Sequence, residues 1–275
     1  MFLKLNIVET KIAIIGAGNL GLSLVTGLVD SGKYQPADFI LSRRDISKLE
    51  EYKSKGFAIT KDNCEAVRMA SIVIVAVLPQ KMDVVLTEIA EDLTANQLII
   101  SLVSGVKVKV IQSIIGDDKP VVRAMPNTAI AIRESMTCIA SSENWKSRIP
   151  EVKEMFELVG ENVVINEEQM TSATALCACG IAFFLRAIRA ASQGGNEIDF
   201  HANEALQMAA QTAKGAASLL IANNSHPEDE IDKVTSPKGC TIAGLNEMEH
   251  NGFSSSFIKG ITVSAKQAKG LYTED

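Results

Sequence analysis

The feature that most constrains this chain is a short apolar run that stops at three glycines and leads directly into a helical pattern. It reads Ile12-Ala13-Ile14-Ile15-Gly16-Ala17-Gly18-Asn19-Leu20-Gly21-Leu22. In a strand–turn–helix unit, Gly16 permits the tight turn, Gly18 lets the backbone approach a pyrophosphate, and Gly21 lets the helix pack on the strand. The free amides at the helix start, including those of Asn19 and Leu20, then face the phosphates. A plain strand–helix turn does not need glycine at all three positions, so the pattern predicts a nucleotide site.

The end of the predicted second strand, Phe39–Leu41, indicates which nucleotide binds. About 20 residues beyond the glycines, an NAD-specific fold places a carboxylate that holds the ribose 2′-hydroxyl. Ser42, Arg43 and Arg44 stand there instead. Two guanidinium groups attract a 2′-phosphate, which a carboxylate would repel. We therefore expect NADPH as the cofactor, with NADH as the alternative if the two arginines are an ordinary solvated pair.

Strand and helix patterns alternate along the first 166 residues. Further strands are predicted at Phe57–Ile59, Ile72–Val77, Leu98–Leu102, Pro120–Ala124, Ser135–Ala140 and Asn162–Ile165, about eight in all. This alternation predicts an α/β domain with a doubly wound Rossmann-type sheet over residues 1–166. Residues at the carboxyl ends of such strands rim the ligand crevice, and here they include Ala76, Val77, Pro79 and Asn127. Asn127-Thr128 is equally compatible with a plain turn.

Strand patterns vanish from residue 167 onward, so residues 167–275 are predicted to form a second, all-helical domain. Its first predicted helix, Gln169–Ser192, is apolar nearly all round, and only Arg186 and Arg189 carry charge within it. A helix that is apolar on every side is buried on every side. We therefore expect a subunit interface; the alternative is a helix sandwiched within one subunit. Later helices are predicted at Ala202–Ala222, from Thr241, and after the N-cap cluster Ser254–Ser256.

Composition and charge exclude several classes of partner. The 275-residue chain is 47% hydrophobic and 22% charged, with a formal net charge of −6. It has no basic run or basic patch interleaved with aromatics, which argues against nucleic acid. The five cysteines form no C-x-x-C pair or even framework, as expected for free thiols in a reducing compartment. The start is too short and polar for a signal peptide, and no apolar run reaches the ~18–20 residues of a membrane span. We expect a cytoplasmic protein without a membrane partner.

A second informative stretch, Val234–Leu245, contains a turn followed by a helix. The turn is predicted over Ser236–Cys240 and the helix from Thr241. The backbone amides of Gly239, Cys240 and Thr241 then form a cup for a carboxylate, together with the hydroxyls of Ser236 and Thr241. An ordinary capped helix start has the same local pattern, so the residues alone leave both interpretations open.

Four blocks of the chain carry a resemblance to a known enzyme family. They are Gly16–Gly21, Arg123–Thr128, Ala210–Ala216 and Val234–Leu245. In order and spacing they resemble Δ1-pyrroline-5-carboxylate reductase, the last enzyme of proline biosynthesis, and the last block is the most family-specific. The resemblance implies hydride transfer from NAD(P)H to a small cyclic imine. It also implies homodimers that interlock through the helical domain, often as five dimers in a decamer.

The resemblance also implies roles for individual residues. Thr241 would hydrogen-bond the substrate near the imine nitrogen, and the amides of Gly239, Cys240 and Thr241 would hold its carboxylate. The residues near the nicotinamide would be Ala76, Pro79 and Asn127-Thr128. Because the pyrroline imine can carry its own proton, hydride attack needs orientation and a carboxylate clamp rather than a strong acid.

The chain departs from the family pattern mainly at the substrate pocket. Relatives typically read Ser-Gly-Ser-Gly-Pro-Ala where this chain has Cys177-Ala178-Cys179-Gly180-Ile181-Ala182, and glycine where it has Lys238. Ala129 replaces a proline and Leu78 a common lysine. These differences leave two alternatives: a reductase of a different cyclic imine carboxylate, and a catalytically altered NADP-binding paralogue.

Two further interpretations are disfavoured. The β-hydroxyacid dehydrogenases share the two-domain plan but use a catalytic lysine on the long interdomain helix, and no lysine occurs between Lys153 and Lys214. A metal centre is not predicted, because Cys177 and Cys179 are separated by one residue, lack a second pair and lie in an apolar helix. They are interpreted as structural thiols.

Overall fold

The structure, a computed structural model, describes residues 11–271. These residues divide into two compact units. One contains residues 11–179 and 264–271, and the other contains residues 180–263.

The first unit is built on an eight-stranded sheet. Its strands are β1 Ile12–Ile15, β2 Phe39–Ser42, β3 Ala58–Thr60, β4 Ile72–Val75, β5 Leu98–Ser101, β6 Val121–Met125, β7 Ser135–Ser141 and β8 Gly160–Val164. Their order is β3-β2-β1-β4-β5-β6-β7-β8, and every neighbouring pair is parallel except β6 with β7. The predicted doubly wound Rossmann-type sheet is confirmed, with strand ends shifted by one or two residues.

Helices cover both faces of this sheet. They are α1 Asn19–Asp30, α2 Glu50–Ser54, α3 Asn63–Arg68, α4 Met82–Ile89, α5 Val108–Ile115 and α6 Ile149–Glu157. Ile12 and Ile14 of β1 lie in a core shared with α1 and α6, whereas Ala13 and Ile15 lie in a second core shared with α3, α4 and α5. Because both faces are buried, the strands carry uninterrupted apolar runs rather than alternating ones.

The strand order creates a crevice at the carboxyl ends of β1 and β4. β1 lies between β2 and β4, and the chain crosses from β3 back over β1 to begin β4. Ligands of open α/β sheets bind at this switch point, outside the carboxyl ends of the strands. The three-glycine stretch follows β1 and therefore lies at this crevice.

The remaining helices follow the sheet in the chain. They are α7 Met170–Ala173, α8 Gly180–Glu197, α9 Ala202–Asn223, α10 Pro227–Lys233, α11 Cys240–His250 and α12 Phe253–Ala268, with a π-helical segment, Thr174–Ala178, between α7 and α8. The predicted helix Gln169–Ser192 lies within a continuous helical stretch, Glu167–Glu197, but it contains a π-type turn that was not predicted, in which the Cys179 amide donates to the Thr174 carbonyl five residues earlier. The predicted N-cap cluster Ser254–Ser256 is wrong, because these serines lie inside α12.

The first compact unit runs through residue 179 and also includes residues 264–271, so it contains residues 167–179 of the predicted helical domain; the domain division at 166/167 itself stays a prediction. Met170 and Ala173 of α7 pack in a small core with Met125, Cys138 and Ala140 of β6 and β7. These apolar contacts hold the first turns of the long helical stretch on the sheet. The strand patterns of the sequence end before residue 167, but the chain continues to pack against the sheet through α7.

The helical stretch Glu167–Glu197 is long and apolar enough to cross a membrane by length and composition, and its most apolar 18-residue window has a mean hydropathy of 1.6. This finding contradicts the expectation that no apolar run reaches that length. Only 22% of its most apolar window is buried within the chain, and Phe184 and Leu185 are 60% and 59% exposed. The expected burial on every side is therefore not achieved within one chain. Large exposed apolar side chains on one helix mark an interaction surface.

Candidate active site

The glycine turn is tied to the end of the neighbouring strand. The amides of Gly16 and Ala17 both donate to the Ser42 carbonyl, at 3.1 and 2.9 Å, and the Gly18 amide donates to the Gly16 carbonyl at 2.7 Å. Ser42 is the last residue of β2, so β1, β2 and the turn form one rigid support. This support fixes where helix α1 begins.

The backbone geometry at each glycine of the turn is compatible with its predicted role. Gly16 has a φ of +86°, and a Cβ there would lie 2.5 Å from Val77 Cγ1. A Cβ on Gly21 would lie 2.9 Å from Ile14 Cγ2, so a side chain would push α1 away from β1. Gly18 differs, since the nearest heavy atom to its Cβ position is 3.9 Å away. The open space in front of Gly18 is what close approach by a pyrophosphate requires.

The start of α1 presents unpaired backbone donors to this space. Gly18 is the N-cap and provides no side-chain cap, and the Leu22 amide is the first to bond back, to the Gly18 carbonyl. The amides of Asn19, Leu20 and Gly21 therefore lack intrahelical acceptors. Such a helix start binds phosphate oxygens, so the turn fits a dinucleotide pyrophosphate.

A cavity of about 500 Å³ adjoins the glycine turn. It is lined by Ile15, Gly16, Gly18, Ser42, Arg43, Arg44, Asp45, Lys61, Asn63, Val77, Leu78, Lys81, Val84, Val85 and Glu88. Four of these residues are cationic and two are acidic. Asp45 accepts a hydrogen bond from Ser47 Oγ at 2.6 Å, which lowers the pKa of its carboxyl, and Glu88 accepts one from Asn63 Nδ2 at 2.9 Å. Within residues 11–271 the four cations form no ion pair, so the cavity suits an anionic ligand.

Ser42, Arg43 and Arg44 lie together in this cavity, as predicted, but they differ in what they can offer. The Ser42 hydroxyl is buried and donates to Asn63 Oδ1 at 2.6 Å. Arg43 Nη1 donates to the Ala17 carbonyl at 3.1 Å and thereby braces the glycine turn. Arg44 is exposed and, among the described residues, makes no hydrogen bond or ion pair. Arg44 is therefore the arginine most available to a 2′-phosphate.

The sequence reasoning missed five polar residues of this cavity, the two acidic residues Asp45 and Glu88 and three others. Lys61 and Asn63 follow β3, and Lys81 directly precedes α4. Lys61, Asn63 and Lys81 all come after parallel strands, β3 or β4, and therefore lie at the same carboxyl edge of the sheet as Ser42. The same strand-end rule that selected Ser42 would therefore have selected them.

The predicted nicotinamide residues have mixed placements. Ala76 directly follows β4, and its amide donates to the Ile15 carbonyl at 2.8 Å. Val77 lines the cavity, as predicted, whereas Ala76 and Pro79 are not among the lining residues. These three residues lie at the carboxyl end of the strand beside β1, so contact of Ala76 and Pro79 with the nicotinamide stays a prediction.

Asn127 is largely committed to internal contacts. It is 7% exposed, its Oδ1 accepts from the Ala129 amide at 3.0 Å, and its Nδ2 donates to the Cys177 carbonyl at 3.4 Å. The side chain therefore caps the turn after β6 and joins it to the π-helical segment. The plain-turn alternative describes these contacts, and a direct cofactor contact stays a prediction.

The predicted carboxylate cup lies in the second unit and differs in detail from expectation. Helix α11 begins at Cys240, one residue earlier than predicted, with Gly239 as its N-cap. The Gly239 amide donates to the Ser236 carbonyl at 2.9 Å, so its assignment as an unpaired donor is wrong. The amides of Cys240 and Thr241 remain without intrahelical acceptors, and Thr241 Oγ1 makes no hydrogen bond to another described residue.

The backbone of this turn explains which residue types fit it. A Cβ on Gly239 would lie 2.5 Å from Ser236 Oγ and 3.0 Å from the Ser236 carbonyl oxygen, so a side chain there would require Ser236 to shift. Lys238 has a φ of +61°, in the left-handed region that favours glycine. Lys238 therefore introduces both backbone strain and a positive charge beside the cup.

Comparisons with known proteins agree with both halves of this description. Residues 11–105 match the family described as NADP oxidoreductase, coenzyme F420-dependent, and residues 167–271 match the family described as pyrroline-5-carboxylate reductase dimerisation. The first match supports NADPH as the cofactor. The second supports oligomerisation through the C-terminal domain and accounts for the exposed apolar side chains of α8.

Full-length relatives extend this result. The chain is 50% identical over 97% of its length to pyrroline-5-carboxylate reductase 1 of Dictyostelium discoideum, but it spans half the length of that protein. It is 47% identical to pyrroline-5-carboxylate reductase 2 of the same organism, over 94% of this chain and 92% of that protein. A solved pyrroline-5-carboxylate reductase from Coxiella burnetii, 28% identical, matches 97% of this chain and 100% of its own with a TM-score of 0.87. With this identity over almost the whole of a relative, the chain belongs to the pyrroline-5-carboxylate reductase family.

Proposed function

We propose that this chain reduces Δ1-pyrroline-5-carboxylate to proline with NADPH as the hydride donor. The observation that carries the proposal is the 47% identity to a pyrroline-5-carboxylate reductase over 92% of that protein. When bound, NADPH supplies the hydride for the C=N bond. The residues of the chain bind and orient the two reactants.

The first unit would bind NADPH through two separate groups of donors. The amides at the start of α1 would bind the pyrophosphate, where the Cβ position of Gly18 is open. Arg44 and Lys61, both exposed and both lining the adjoining cavity, would bind the 2′-phosphate. Charge-assisted hydrogen bonds to phosphate are stronger than neutral ones, which supports a preference for NADPH over NADH.

The second unit would bind the substrate carboxylate at the start of α11. The free amides of Cys240 and Thr241, with the positive end of an eleven-residue helix behind them, attract an anion. The Ser236 hydroxyl, exposed at the turn, would add a further donor. This set of neutral donors suits a carboxylate that must bind before reaction and leave after it.

Thr241 would orient the imine for hydride transfer. Its amide belongs to the carboxylate cup, while its hydroxyl is free to hydrogen-bond near the ring nitrogen. The protonated imine is already electrophilic, so the chain needs to supply position rather than a strong acid. No histidine of the chain is assigned a role.

The deciding experiment is steady-state turnover of Δ1-pyrroline-5-carboxylate with NADPH for the wild type, Thr241→Ala and Thr241→Ser. Thr241→Ala keeps the amide and removes the hydroxyl, so kcat should fall roughly ten- to a hundredfold, by the ~1–3 kcal/mol of one positioned hydrogen bond. NADPH affinity should not change, and Thr241→Ser should recover most of the rate. Thr262→Ala, an exposed threonine on α12, is the matched control.

Other results would point elsewhere. If Thr241→Ala lowers the Tm but leaves kcat unchanged, Thr241 is only a helix-start residue. If the wild type turns over a six-membered cyclic imine carboxylate but not the five-membered one, the substrate is the six-membered imine. Lys238 beside the cup would then be the first residue to exchange for glycine. NADPH binding without any turnover would indicate an altered paralogue.

We also propose how many subunits the assembly contains. Dimers would form through the C-terminal domain, and five dimers would form a decamer. Sedimentation velocity distinguishes these two sizes.

A further inference from the structure

Two cysteine thiols lie close together in the first unit, away from the cavity beside the glycine turn. Cys138 is on β7, opposite Met125 of β6, and Cys177 is in the π-helical segment Thr174–Ala178. Their Sγ atoms are 3.7 Å apart. A disulfide bond is about 2.05 Å long, so the two atoms need to approach by about 1.7 Å to bond.

The two thiols differ in how easily a reagent can reach them. Cys138 is 3% exposed and packs with Met125, Ala140 and Met170. Cys177 packs at the edge of this cluster and is only partly buried. A small oxidant can therefore reach the partly exposed Cys177 thiol more easily than the buried Cys138 thiol.

The segment that carries Cys177 is also suited to a local adjustment. Its π-type bond, from the Cys179 amide to the Thr174 carbonyl, widens one turn of an otherwise α-helical stretch. Such single π-turns occur frequently at functional sites.

We propose that Cys138 and Cys177 form a reversible dithiol–disulfide pair that is oxidised by a peroxide, with Cys177 as the attacking thiol and Cys138 as the resolving thiol. In the first step the Cys177 thiolate attacks one peroxide oxygen, the O–O bond breaks, and Cys177 becomes a sulfenic acid while hydroxide leaves. In the second step Cys138 sulfur attacks Cys177 sulfur, the S–O bond breaks, and water leaves with the Cys138 proton. The two sulfurs together lose two electrons, which reduce the peroxide.

The protonation preference of the pair agrees with this order. The hydrogen bond between the two thiols lowers the pKa of the Cys177 thiol below its usual value, which favours the thiolate form there. The same hydrogen bond and burial raise the pKa of Cys138, which keeps the proton there. Since the thiolate is the reactive form, Cys177 reacts first.

The test uses the full-length reduced protein and hydrogen peroxide as the probe. After a short exposure and removal of peroxide, free thiols are counted and blocked, and the peptides are mapped by mass spectrometry. Two of the five thiols should disappear, one cross-linked peptide pair should contain Cys138 and Cys177, and dithiothreitol should restore both thiols. This readout needs no variant and does not depend on reductase activity.

Two variants test the order of attack. In Cys138→Ser, Cys177 should accumulate as a sulfenic acid that dimedone traps. In Cys177→Ser, Cys138 should remain unmodified at the same peroxide dose. Cys179→Ser and Cys64→Ser, which leave the pair intact, should form the cross-link as the wild type does.

Three results would overturn the proposal. One is a cross-link that involves other cysteines or joins two chains in place of the 138–177 bond. Another is separate over-oxidation of both thiols without any bond between them, which would reduce the contact to ordinary packing. The third is trapping of Cys138 in Cys177→Ser at the wild-type rate, which would reverse the order.

Discussion

Replacement of Arg44 by alanine should separate the affinities for NADPH and NADH. Arg44 lines the cavity beside the glycine turn and makes no hydrogen bond or ion pair with another described residue. Its guanidinium is therefore free for a 2′-phosphate, which NADH lacks. Arg43 differs, because its Nη1 already donates to the Ala17 carbonyl at 3.1 Å. Arg43→Ala should loosen the glycine turn and weaken both cofactors.

The size of the effect follows from the exposure of Arg44. A hydrogen bond to a charged group contributes about 1.5–3 kcal/mol, and solvent around an exposed guanidinium places Arg44 at the lower end of that range. A loss of ~1.4 kcal/mol corresponds to a tenfold change in affinity. We therefore expect Arg44→Ala to weaken NADPH binding about tenfold and to leave NADH binding nearly unchanged.

Fluorescence titration of both reduced cofactors gives the four dissociation constants that are needed. Arg148→Ala serves as the control, because Arg148 pairs with Glu151 at 2.8 Å on the same unit but outside the cavity. The reasoning is refuted if Arg44→Ala weakens NADPH and NADH equally, or if wild-type NADH binds as tightly as NADPH. It is also refuted if the control produces the same loss.

The remaining predictions concern the turn, a buried ion pair and the assembly. Gly16→Ala should prevent NADPH binding, because the new Cβ would lie 2.5 Å from Val77 Cγ1. Gly32→Ala is the control, because Gly32 also has a positive φ but has nothing within 4 Å of its Cβ position, and this variant should bind NADPH normally in the same titration. Glu167→Ala should lower the free energy of unfolding by about 3 kcal/mol in denaturant melts, because it leaves Arg123, 4% exposed, without its 3.2 Å partner; an unchanged midpoint would contradict this. Light scattering at low micromolar concentration should give a multiple of 29.5 kDa, and a stable monomer would contradict the assignment of α8 to an interface.

The features that could be read from the sequence are those set by neighbouring residues. The glycine spacing specifies its own turn, because Gly16 must adopt a positive φ and the next helix must start within a few residues. The unbroken apolar runs indicate parallel strands buried on both faces. For the same reason the fold class and the position of the nucleotide turn were predictable, and the helix of the carboxylate cup was placed within one residue.

Contacts between distant segments were not predictable, because no local pattern encodes them. The Ser42 hydroxyl is occupied by Asn63, and Arg43 braces the glycine turn, so only tertiary packing decides that Arg44 is the free arginine. The compact unit around the sheet also includes α7, because α7 packs on β6 and β7, although the strand patterns end earlier in the chain.

The same distinction applies to the cysteines. The sequence determined that this chain has five thiols without a disulfide framework, and it placed Cys177 in an apolar helical stretch. That Cys177 lies 3.7 Å from Cys138, 39 positions earlier, depends on how one helical segment packs against one strand. The physical reason is that residue type and spacing determine local geometry, whereas the pairing of surfaces is determined only when the apolar faces of all the elements are buried together.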